Sequence, residues 1–438
     1  MPSFVVEGGQ KLAGEIRPAG NKNSALPAIA ASLLGTGVTI LKNMPRILDV
    51  LTMLEILENL GARVTWKGQN TVSIDPSSVT SGSIYTVLAQ KIRASLLLAG
   101  PLLARFGCVR LPPPGGDVIG RRRMDTHFLA FEALGATVKF DSGFEIKCEK
   151  LYGTNLFLDE PSVTGTENAI MAAVLAKGES LIRNVASEPH VQDLCNLLIS
   201  MGADIEGVGT NQLRISGVES LQGTTFSIGP DHIETGSFIG LAGVTGSQIL
   251  IKDAPVEHLE STLLGFRRLG LDIHVEGTDI RVLGDSQKNI ISDAFGSLPK
   301  IDDGPWPAFP ADLTSIALVT ATQCEGTVLI HEKMFESRMF FTDKLVAMGA
   351  KIILCDPHRA VVAGPCRLRA AKLESPDIRA GMALLLAALG AEGVSHIQNI
   401  GQKLVEVTNK NLDYFEDRFS IGSGKKWYYF IKVYNNYE

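Results

Sequence analysis

The sequence predicts an α/β protein built from six similar units, in which helices pack against small sheets. Three observations support this prediction. A glycine followed by a short β-rich run recurs about every 70 residues. A second glycine ends an amphipathic helix just before a strand, and an apolar helix of small residues precedes each glycine-led strand. The three markers recur in the same order at the same interval. A repeated unit therefore explains them better than a chance similarity of glycine spacings.

The first marker is a glycine with the strand that it introduces. Val, Ile, Leu and Thr are frequent in the four residues that follow it, as is typical of strands bounded by a turn. The six copies begin at Gly37, Gly107, Gly178, Gly246, Gly326 and Gly393.

The other two markers are helical. Glycine just after the last helical residue favours a left-handed cap, and this glycine is found at Gly61, Gly135, Gly202, Gly270 and Gly349. The apolar helices are predicted over 24–34, 94–105, 167–176, 235–244, 312–322 and 379–390. Since they are apolar almost all round, we expect them in the interior. Six units suggest two lobes of three, with a boundary near 225–235.

Composition excludes several classes of protein. The 438 residues are 45% hydrophobic and 20% charged, which indicates two or three globular domains. A net charge of -6 lacks the basic surplus expected for binding duplex DNA or an anionic membrane. This argues against the one alternative that the repeats alone allow, a ring closed around DNA. Neither nucleic acid nor membrane is therefore an expected partner.

The cysteines and the N-terminus bear on location. Six cysteines occur without a C-x-x-C spacing, which favours reduced thiols over disulfides or a zinc site. The N-terminus has no export signal, and no apolar run is long enough to span a membrane. The sequence therefore predicts a cytoplasmic protein.

Three of the predicted interior helices begin with a cation, at Lys22, Arg93 and Arg379. A helix N-terminus carries partial positive charge, so a cation there is unfavourable unless an anion joins it. These positions suggest an anionic substrate with phosphate or carboxylate groups. The alternative, that each cation pairs with an acid or reaches solvent, stays open at this point.

The other three begin with carboxylates, at Glu167, Glu234 and Asp312. Ordinary N-terminal capping explains the first two equally well. Asp312 follows the apolar loop 306–310, which could desolvate the carboxylate and raise its pKa towards general-base chemistry. A plain N-cap is the alternative for Asp312 as well.

A proline- and glycine-rich loop at 112–123 carries three successive arginines at its end. Guanidinium groups suit phosphate or carboxylate, so this segment is a candidate mobile phosphate-binding loop. The alternative is a solvated basic turn. The sequence contains no P-loop, no dinucleotide fingerprint and no metal-ligand spacing among its eight histidines, so neither a metal nor an organic cofactor is expected.

The sequence resembles the enolpyruvyl transferases over about residues 4–402. The resemblance rests on GNKNSALP (20–27), RAS (93–95), GGDVIGRRRMDTH (115–127), TEN (166–168), PDHIETG (230–236), PAFPAD (307–312), FESR (335–338) and DIRA (377–380). It implies an inside-out α/β barrel of two domains, each with three β-α-β-α-β-β repeats. The implied domains are 21–230, which includes the mobile loop 112–123, and 1–20 plus 231–438, with a sixth repeat that is atypical after 402.

The resemblance also implies an activity. The enolpyruvyl group of phosphoenolpyruvate is transferred to the 3′-hydroxyl of UDP-N-acetylglucosamine with release of phosphate, the first committed step of peptidoglycan precursor synthesis. Both substrates are small molecules, and the family needs no cofactor. Two alternatives remain: a catalytically impaired homologue that binds the UDP-sugar, and enolpyruvyl transfer to another acceptor such as shikimate 3-phosphate.

Site residues follow from the same resemblance. Asp312 matches the base for the sugar hydroxyl. The positions that hold the phosphoenolpyruvate anion are matched by Lys22, Arg122 and Arg379, with Arg93 as a nearby cation. The nucleotide-sugar side is matched by Asn23, Asp125, His127 and Arg338 and by the backbone near Met334.

The chain departs from the family in the mobile loop. Many members carry a cysteine there, whereas this chain has Asp117. A carboxylic acid would then deliver the proton to C3 of phosphoenolpyruvate. We therefore predict resistance to fosfomycin, an epoxide that alkylates the thiol.

A second departure begins after residue 402. Aromatic residues make up about a quarter of 403–438, against 6% of the chain. The arginine-bearing segment expected from the resemblance is replaced by Lys403-Leu404-Val405-Glu406. Lys403 or Arg418 could substitute for that arginine only if the chain places one of them there. A replaced C-terminus and a divergent but folded sixth repeat both stay open.

Overall fold

The computed structural model describes residues 3–84, 86–115, 123–141, 143–399 and 431–434. The described residues form two compact units. Residues up to Pro18 join those from Pro230 onward in one unit, and residues from Ala19 to Gly229 form the other. Each unit has its own hydrophobic core.

Helices and strands alternate along the described chain. The α-helices are α1 (Lys22–Ala31), α2 (Leu48–Asn59), α3 (Thr86–Ala89), α4 (Ala99–Phe106), α5 (Asp125–Ala133), α6 (Val163–Ala173), α7 (Pro189–Ser200), α8 (His232–Thr245), α9 (Glu260–Arg268), α10 (Thr314–Ala321), α11 (Thr342–Ala347) and α12 (Ile378–Gly390). Short 3-10 helices span Ser32–Leu34, Arg93–Leu98, Val256–His258, Ala294–Gly296, Ala311–Leu313 and Arg338–Phe341.

The strands are short. They are β1 (Ser3–Gly8), β2 (Ala13–Ile16), β3 (Thr39–Lys42), β4 (Arg63–Trp66), β5 (Val72–Asp75), β6 (Cys108–Leu111), β7 (Thr137–Phe140), β8 (Phe144–Lys147), β9 (Asn155–Phe157), β10 (Glu179–Arg183), β11 (Asp204–Glu206), β12 (Gln212–Ser216), β13 (Thr225–Ser227), β14 (Gln248–Ile251), β15 (Asp272–Glu276), β16 (Asp279–Leu283), β17 (Lys300–Asp302), β18 (Gly326–His331), β19 (Lys351–Asp356), β20 (Arg359–Gly364), β21 (Lys372–Glu374), β22 (Gly393–Gln398) and β23 (Ile431–Tyr434).

These strands form six small sheets that share one pattern. The strand led by the first-marker glycine lies inside five of the sheets and at the edge of the sheet β6-β8-β7. In every sheet but the one that contains β22, it lies next to the second strand of a hairpin. In five sheets its other neighbour is a parallel strand, as in β13-β3-β5-β4 and β17-β18-β20-β19. The sheet β6-β8-β7 has only a parallel bridge between Ser83 and Arg110 at that edge. All six predicted glycine-led strands are confirmed.

The sixth sheet is completed by the N-terminal strand. Its order is β21-β22-β1-β23, so β1 lies where the other sheets have the second hairpin strand. Strand β1 pairs antiparallel with β22, and Phe4 lies opposite Ile397. The short C-terminal strand β23 pairs antiparallel with the other edge of β1. The rest of the unusual segment after 402 lies outside the described residues, so both readings of it stay predictions.

In the unit that contains both termini, three helices form the centre and the sheets surround them. Helices α8, α10 and α12 contact one another, and each also contacts a glycine-led strand. All eight residues of α10 are buried. Glycine permits the close approach of α8 to α10, because a Cβ atom on Gly240 would lie 2.3 Å from Cγ2 of Ile316. This arrangement, with helices inside and sheets outside, confirms the predicted fold class.

Most residues that the sequence predicts at the ends of helices are found there. The five helix-ending glycines all have positive φ, for example 103° at Gly61. Two predicted helix starts are wrong. Helix α6 begins at Val163 with Ser162 as its cap, so Glu167 lies inside the helix. Helix α8 begins at His232 with Asp231 as its cap, so Glu234 is not the first residue. In both cases a better capping side chain lies upstream.

Two further findings concern location and redox state. No helix within the described ranges combines the length and the apolar character needed to cross a membrane. All six cysteines are free thiols, and Cys195, Cys324 and Cys366 are buried.

Candidate active site

Asp312 lies between two guanidinium groups in the unit that contains both termini. Its Oδ1 forms an ion pair with Nη2 of Arg338 at 2.7 Å, and its Oδ2 forms one with Nη2 of Arg379 at 2.6 Å. The side chains of Asp312, Arg338 and Arg379 are 24%, 7% and 26% exposed. Two positive charges therefore hold the carboxylate as an ion. Guanidinium groups contact both carboxylate oxygens, and the predicted rise of the Asp312 pKa through the loop 306–310 stays a prediction.

The fold places Arg379 at the N-terminus of α12. The cap residue Asp377 accepts hydrogen bonds from the backbone N–H groups of Arg379 and Ala380 at 2.8 and 3.0 Å. In addition, the Ser315 hydroxyl at the start of α10 donates to the carbonyl oxygen of Arg379 at 3.3 Å. The unfavourable cation at this helix start is thus compensated by Asp377 and Asp312.

Arg338 begins the 3-10 helix before α11 and is the more buried of the two arginines. Its Nη1 donates to the carbonyl oxygen of Ala311 at 2.8 Å, and its guanidinium lies 4.3 Å from the centre of the Phe335 ring. Burial lowers the pKa of Arg338, but the charges of Asp312 and Glu332 outweigh this and leave the pKa raised. Met334 lies in the preceding turn and is 41% exposed.

An aromatic cluster lies close to Asp312. The Trp306 ring contacts His232 and His258 edge-on, with centroids 6.2 and 6.0 Å away. Burial, followed by electrostatic interactions with His258 and Arg379, lowers the pKa of His232 to about 4, although the charge of Asp312 opposes this. His232 is therefore a neutral group at neutral pH beside a cluster of charged ones.

Two predicted residues lie at the start of α1 in the other unit. The Nζ of Lys22 lies 3.5 Å from Oδ2 of Asp49, and both side chains are partly buried. Asn21 caps the helix by accepting from the backbone N–H of Asn23 at 2.8 Å. The acid partner that sequence reasoning left open for Lys22 is thus present.

Arg93 and His127 lie together in the same unit. Arg93 donates from Nη2 to the carbonyl oxygen of Arg123 at 3.2 Å. His127 is fully buried and bonded at both ring nitrogens. Its Nδ1 accepts from Nδ2 of Asn168 at 2.9 Å, which leaves Nε2–H to donate to the Thr164 hydroxyl at 3.1 Å.

The predicted role of His127 in substrate binding stays a prediction, and the geometry shows which partners its ring already has. No ring atom is open to a ligand, because Asn168 and Thr164 occupy both nitrogens. Burial, followed by the charge of Arg93, lowers the pKa of His127 to about 3, so the imidazole is neutral. In this structure His127 is a buried, neutral side chain near Arg93.

Arg123, at the described end of the arginine loop, is paired with acidic side chains. Arg123 donates to Asp159 at 2.8 Å and to Asp125 at 3.2 Å. The side chain of Asp125 is 60% exposed at the start of α5. Asp117 and Arg122 lie outside the described residues, so their predicted roles stay predictions.

Sequence reasoning missed several residues. Asp49, the acid partner of Lys22, gives no local signal in the first turn of α2. Asp303 and Glu332 are almost fully buried next to the Arg338 segment. The sign of them in the sequence is that each follows a β-rich run. Glu167 is also buried, and burial, followed by the charge of Glu188, raises its pKa well above the usual value.

Within the described residues, no group of His, Cys, Asp and Glu side chains could hold a metal ion. The cluster around Asp312 consists of two guanidinium groups and a carboxylate. Such a set can bind an anion with two or more negative charges, and its carboxylate can accept a proton.

Comparisons with known proteins agree with this chemistry. The family model described as EPSP synthase (3-phosphoshikimate 1-carboxyvinyltransferase) matches residues 6–418. A UDP-N-acetylglucosamine 1-carboxyvinyltransferase of Bradyrhizobium diazoefficiens is 58% identical over 399 residues, 91% of this chain and 93% of that protein. A protein of the same name from Treponema denticola is 54% identical over 402 residues, 92% of this chain and 94% of that protein.

Solved structures show the same fold at lower identity. The enolpyruvyl transferase NikO from Streptomyces tendae has a TM-score of 0.83 and 23% identity, with 99% of this chain and 98% of that chain covered. An EPSP synthase from Acinetobacter baumannii has a TM-score of 0.75 and 17% identity, covering 99% of this chain and all of that one. Together with the high identity to the curated relatives, this shows that the chain belongs to the enolpyruvyl transferase family.

Proposed function

We propose that this protein transfers the enolpyruvyl group of phosphoenolpyruvate to the 3′-hydroxyl of UDP-N-acetylglucosamine and releases phosphate. This is the first committed step of peptidoglycan precursor synthesis, and we place it in the cytoplasm. The observation that carries the proposal is 58% identity over 91% of the chain to a relative named for this reaction.

The Asp312 cluster suits the first chemical step. In that step the sugar oxygen bonds to C2 of phosphoenolpyruvate, the hydroxyl proton leaves, and C3 gains a proton. The product is a tetrahedral phospholactyl ketal. Asp312 is ionised and oriented by Arg338 and Arg379, so it can accept the hydroxyl proton.

Arg379 has two roles in this proposal. In the unliganded protein it neutralises Asp312, and with phosphoenolpyruvate bound it contacts the anion. Because Nη2 of Arg379 contacts Oδ2 of Asp312, binding of the anion to this guanidinium competes with that bond. Loss of that bond makes Asp312 a better proton acceptor when the substrate is present. On the resemblance of their motifs, we also assign Lys22, Arg122 and Arg93 to binding of the phosphoenolpyruvate anion.

The second step breaks the C2–O bond to phosphate and removes a proton from C3, which restores the enolpyruvyl double bond. Asp117 supplies the C3 proton in the first step and takes one back in the second. The nucleotide-sugar is held by Asn23, Asp125 and Arg338 and by the backbone near Met334.

Phosphate release tests the proposal. Purified protein receives phosphoenolpyruvate alone, with UDP-N-acetylglucosamine, or with shikimate 3-phosphate. We expect release only with UDP-N-acetylglucosamine and none from Asp312→Ala. Release only with shikimate 3-phosphate would overturn the assignment of the acceptor.

The unusual segment after 402 motivates the one alternative, a homologue that binds the UDP-sugar without turnover. The same experiment separates the two, since that homologue would bind UDP-N-acetylglucosamine in a calorimeter and release no phosphate.

A further inference from the structure

Two buried carboxyl groups face each other beside the segment that carries Arg338. Asp303 follows β17 and Glu332 follows β18, and these parallel strands place Asp302 opposite His331. Asp303 is 1% exposed and Glu332 is not exposed at all. Oδ2 of Asp303 and Oε2 of Glu332 are buried atoms, and no donor among the described residues reaches either one. The two side chains instead meet each other.

A proton held between the two carboxyl groups removes their electrostatic repulsion. Two ionised carboxylates at one buried position repel each other strongly, whereas a carboxylic acid can donate to a carboxylate. Burial, followed by the hydrogen bond and the charge of Asp303, raises the pKa of Glu332 to about 9, although the positive charge of Arg338 opposes the shift. The other titratable neighbours are Lys333, which pairs with Asp302, and His358, whose Nδ1 lies 2.8 Å from the carbonyl oxygen of Glu332.

The remaining oxygens of the two carboxyl groups hold the turn that follows β18. Oδ1 of Asp303 accepts from the backbone N–H of Lys333 at 2.5 Å. Oε1 of Glu332 accepts from the backbone N–H groups of Met334 and Phe335 at 3.2 and 3.1 Å. Three consecutive backbone N–H groups are therefore satisfied by this pair.

The turn leads directly to the candidate base. The Phe335 ring lies against the guanidinium of Arg338, and Arg338 binds Oδ1 of Asp312. Met334, in the same turn, is the position assigned to the nucleotide-sugar.

We propose that Asp303 and Glu332 share one proton and act as positioning residues for the transfer reaction. The protonated pair fixes the turn at 333–335, so that Arg338 reaches Asp312 and the Met334 backbone keeps its place. Neither carboxyl contacts substrate. The kinetic part of this inference rests on the proposed function, whereas the shared proton does not.

Three variants separate the proton from the carboxyl charge. Glu332→Gln is equivalent to a permanently protonated Glu332, because its oxygen still accepts from the turn and its amide donates to Asp303. Glu332→Ala removes both contacts. Asp302→Asn is the matched control, since Asp302 is the adjacent carboxylate but forms ion pairs with Lys300 and Lys333 near the surface.

Thermal unfolding tests the shared proton without any activity. The folded pair keeps a proton that the unfolded chain releases above the ordinary Glu332 value of 4.5. The wild-type protein therefore loses stability as the pH rises from about 4.5 towards about 9, and Glu332→Gln does not. We expect the Tm of Glu332→Gln relative to wild type to increase by about 3 °C or more between about pH 5 and about pH 8.

The control should not show this trend. Although partial burial raises it, hydrogen bonds from Lys333 and Lys300 leave the pKa of Asp302 below its usual 3.8. The contribution of Asp302 to stability therefore changes only at pH values below the tested range of about pH 5 to about pH 8. A constant Tm difference between Glu332→Gln and wild type, or an equal trend in Asp302→Asn, would overturn the shared proton.

Steady-state kinetics tests the positioning role. We expect Glu332→Ala to raise KM for UDP-N-acetylglucosamine about tenfold or more and Glu332→Gln to restore it to within about threefold of wild type. Equal losses in both variants would overturn positioning through a protonated carboxyl. If the wild-type protein has no activity, the proposed function fails, and the pH trend of Tm still decides whether the proton is shared.

Discussion

Two carboxyl groups near Arg338 have opposite surroundings. Asp312 is 24% exposed and meets guanidinium groups on both oxygens. Glu332 is fully buried and meets another carboxyl. The first arrangement stabilises a negative charge, and the second stabilises a proton. The comparison teaches that the partners of a carboxyl group determine which reaction it can serve, because the two residues are chemically almost identical.

The largest expected effect comes from neutralising Asp312. Asp312→Asn keeps the shape of the side chain but cannot accept a proton, so phosphate release should fall about 10²- to 10⁴-fold. The control is Asp343→Asn, an exposed carboxylate in the first turn of α11, which should retain activity within about twofold. Retained activity in Asp312→Asn would move the general base elsewhere.

Arg338→Lys should have the next largest effect. Lysine keeps the charge but loses the planar fork that reaches both Asp312 and the carbonyl oxygen of Ala311, as well as the stacking on Phe335. We expect phosphate release to fall about 10- to 100-fold and the Tm to decrease. Arg359→Lys, in an exposed pair with Asp356, serves as the control. If Arg338→Lys behaves like this control, Asp312 does not depend on the fork.

A smaller effect is expected at His127, a second group whose burial favours the neutral form. Its folded-state pKa of about 3 lies below the ordinary 6.5, so the unfolded chain takes up a proton that the folded protein excludes. Its contribution to stability is complete above about pH 6.5 and is lost as the pH falls towards about 3. Between about pH 6.5 and about pH 5, the free energy of unfolding should fall by about 2 kcal/mol less in His127→Gln than in the wild-type protein.

Urea unfolding at several pH values measures this difference. His274→Gln, which removes an exposed histidine that contacts Asp272 on β15, is the matched control for the loss of an imidazole. An unchanged acid slope in His127→Gln would show that the imidazole already carries its proton in the folded protein.

Asp117 is a third carboxyl, and here we expect no effect on the wild-type protein. Without a loop thiol, fosfomycin should cause no time-dependent loss of phosphate release, whereas Asp117→Cys should become sensitive. Mass spectrometry of the treated proteins checks the site. A covalent adduct at Asp117 of the wild-type protein would contradict the prediction.

The sequence predicted the repeated elements well because their signals are local. Glycine-led strands such as β18 and helix-ending glycines such as Gly61 depend on neighbouring residues and on allowed φ values. Helix starts were less certain, because several capping side chains compete within a few residues. At α6 the competition favours Ser162 over Glu167.

The candidate site was only partly predictable. Asp312, Arg338 and Arg379 could be named from motifs, but their mutual hydrogen bonds could not, since the three residues lie on separate elements. The burial of His127 could not be predicted, because a polar residue next to a binding motif gives no sign of it. Asn168 and Thr164, which occupy its ring nitrogens, come from a different helix.

The sequence by itself determined six α/β repeats and free thiols rather than a disulfide framework, because these follow from periodicity and from side-chain chemistry. The tertiary structure decided which oxygen meets which donor. It gave Asp312 two guanidinium groups, Glu332 a facing carboxyl and His127 a closed pocket. The physical reason is that protonation and accessibility depend on burial and on partners far apart in the chain, which only the packed fold brings together.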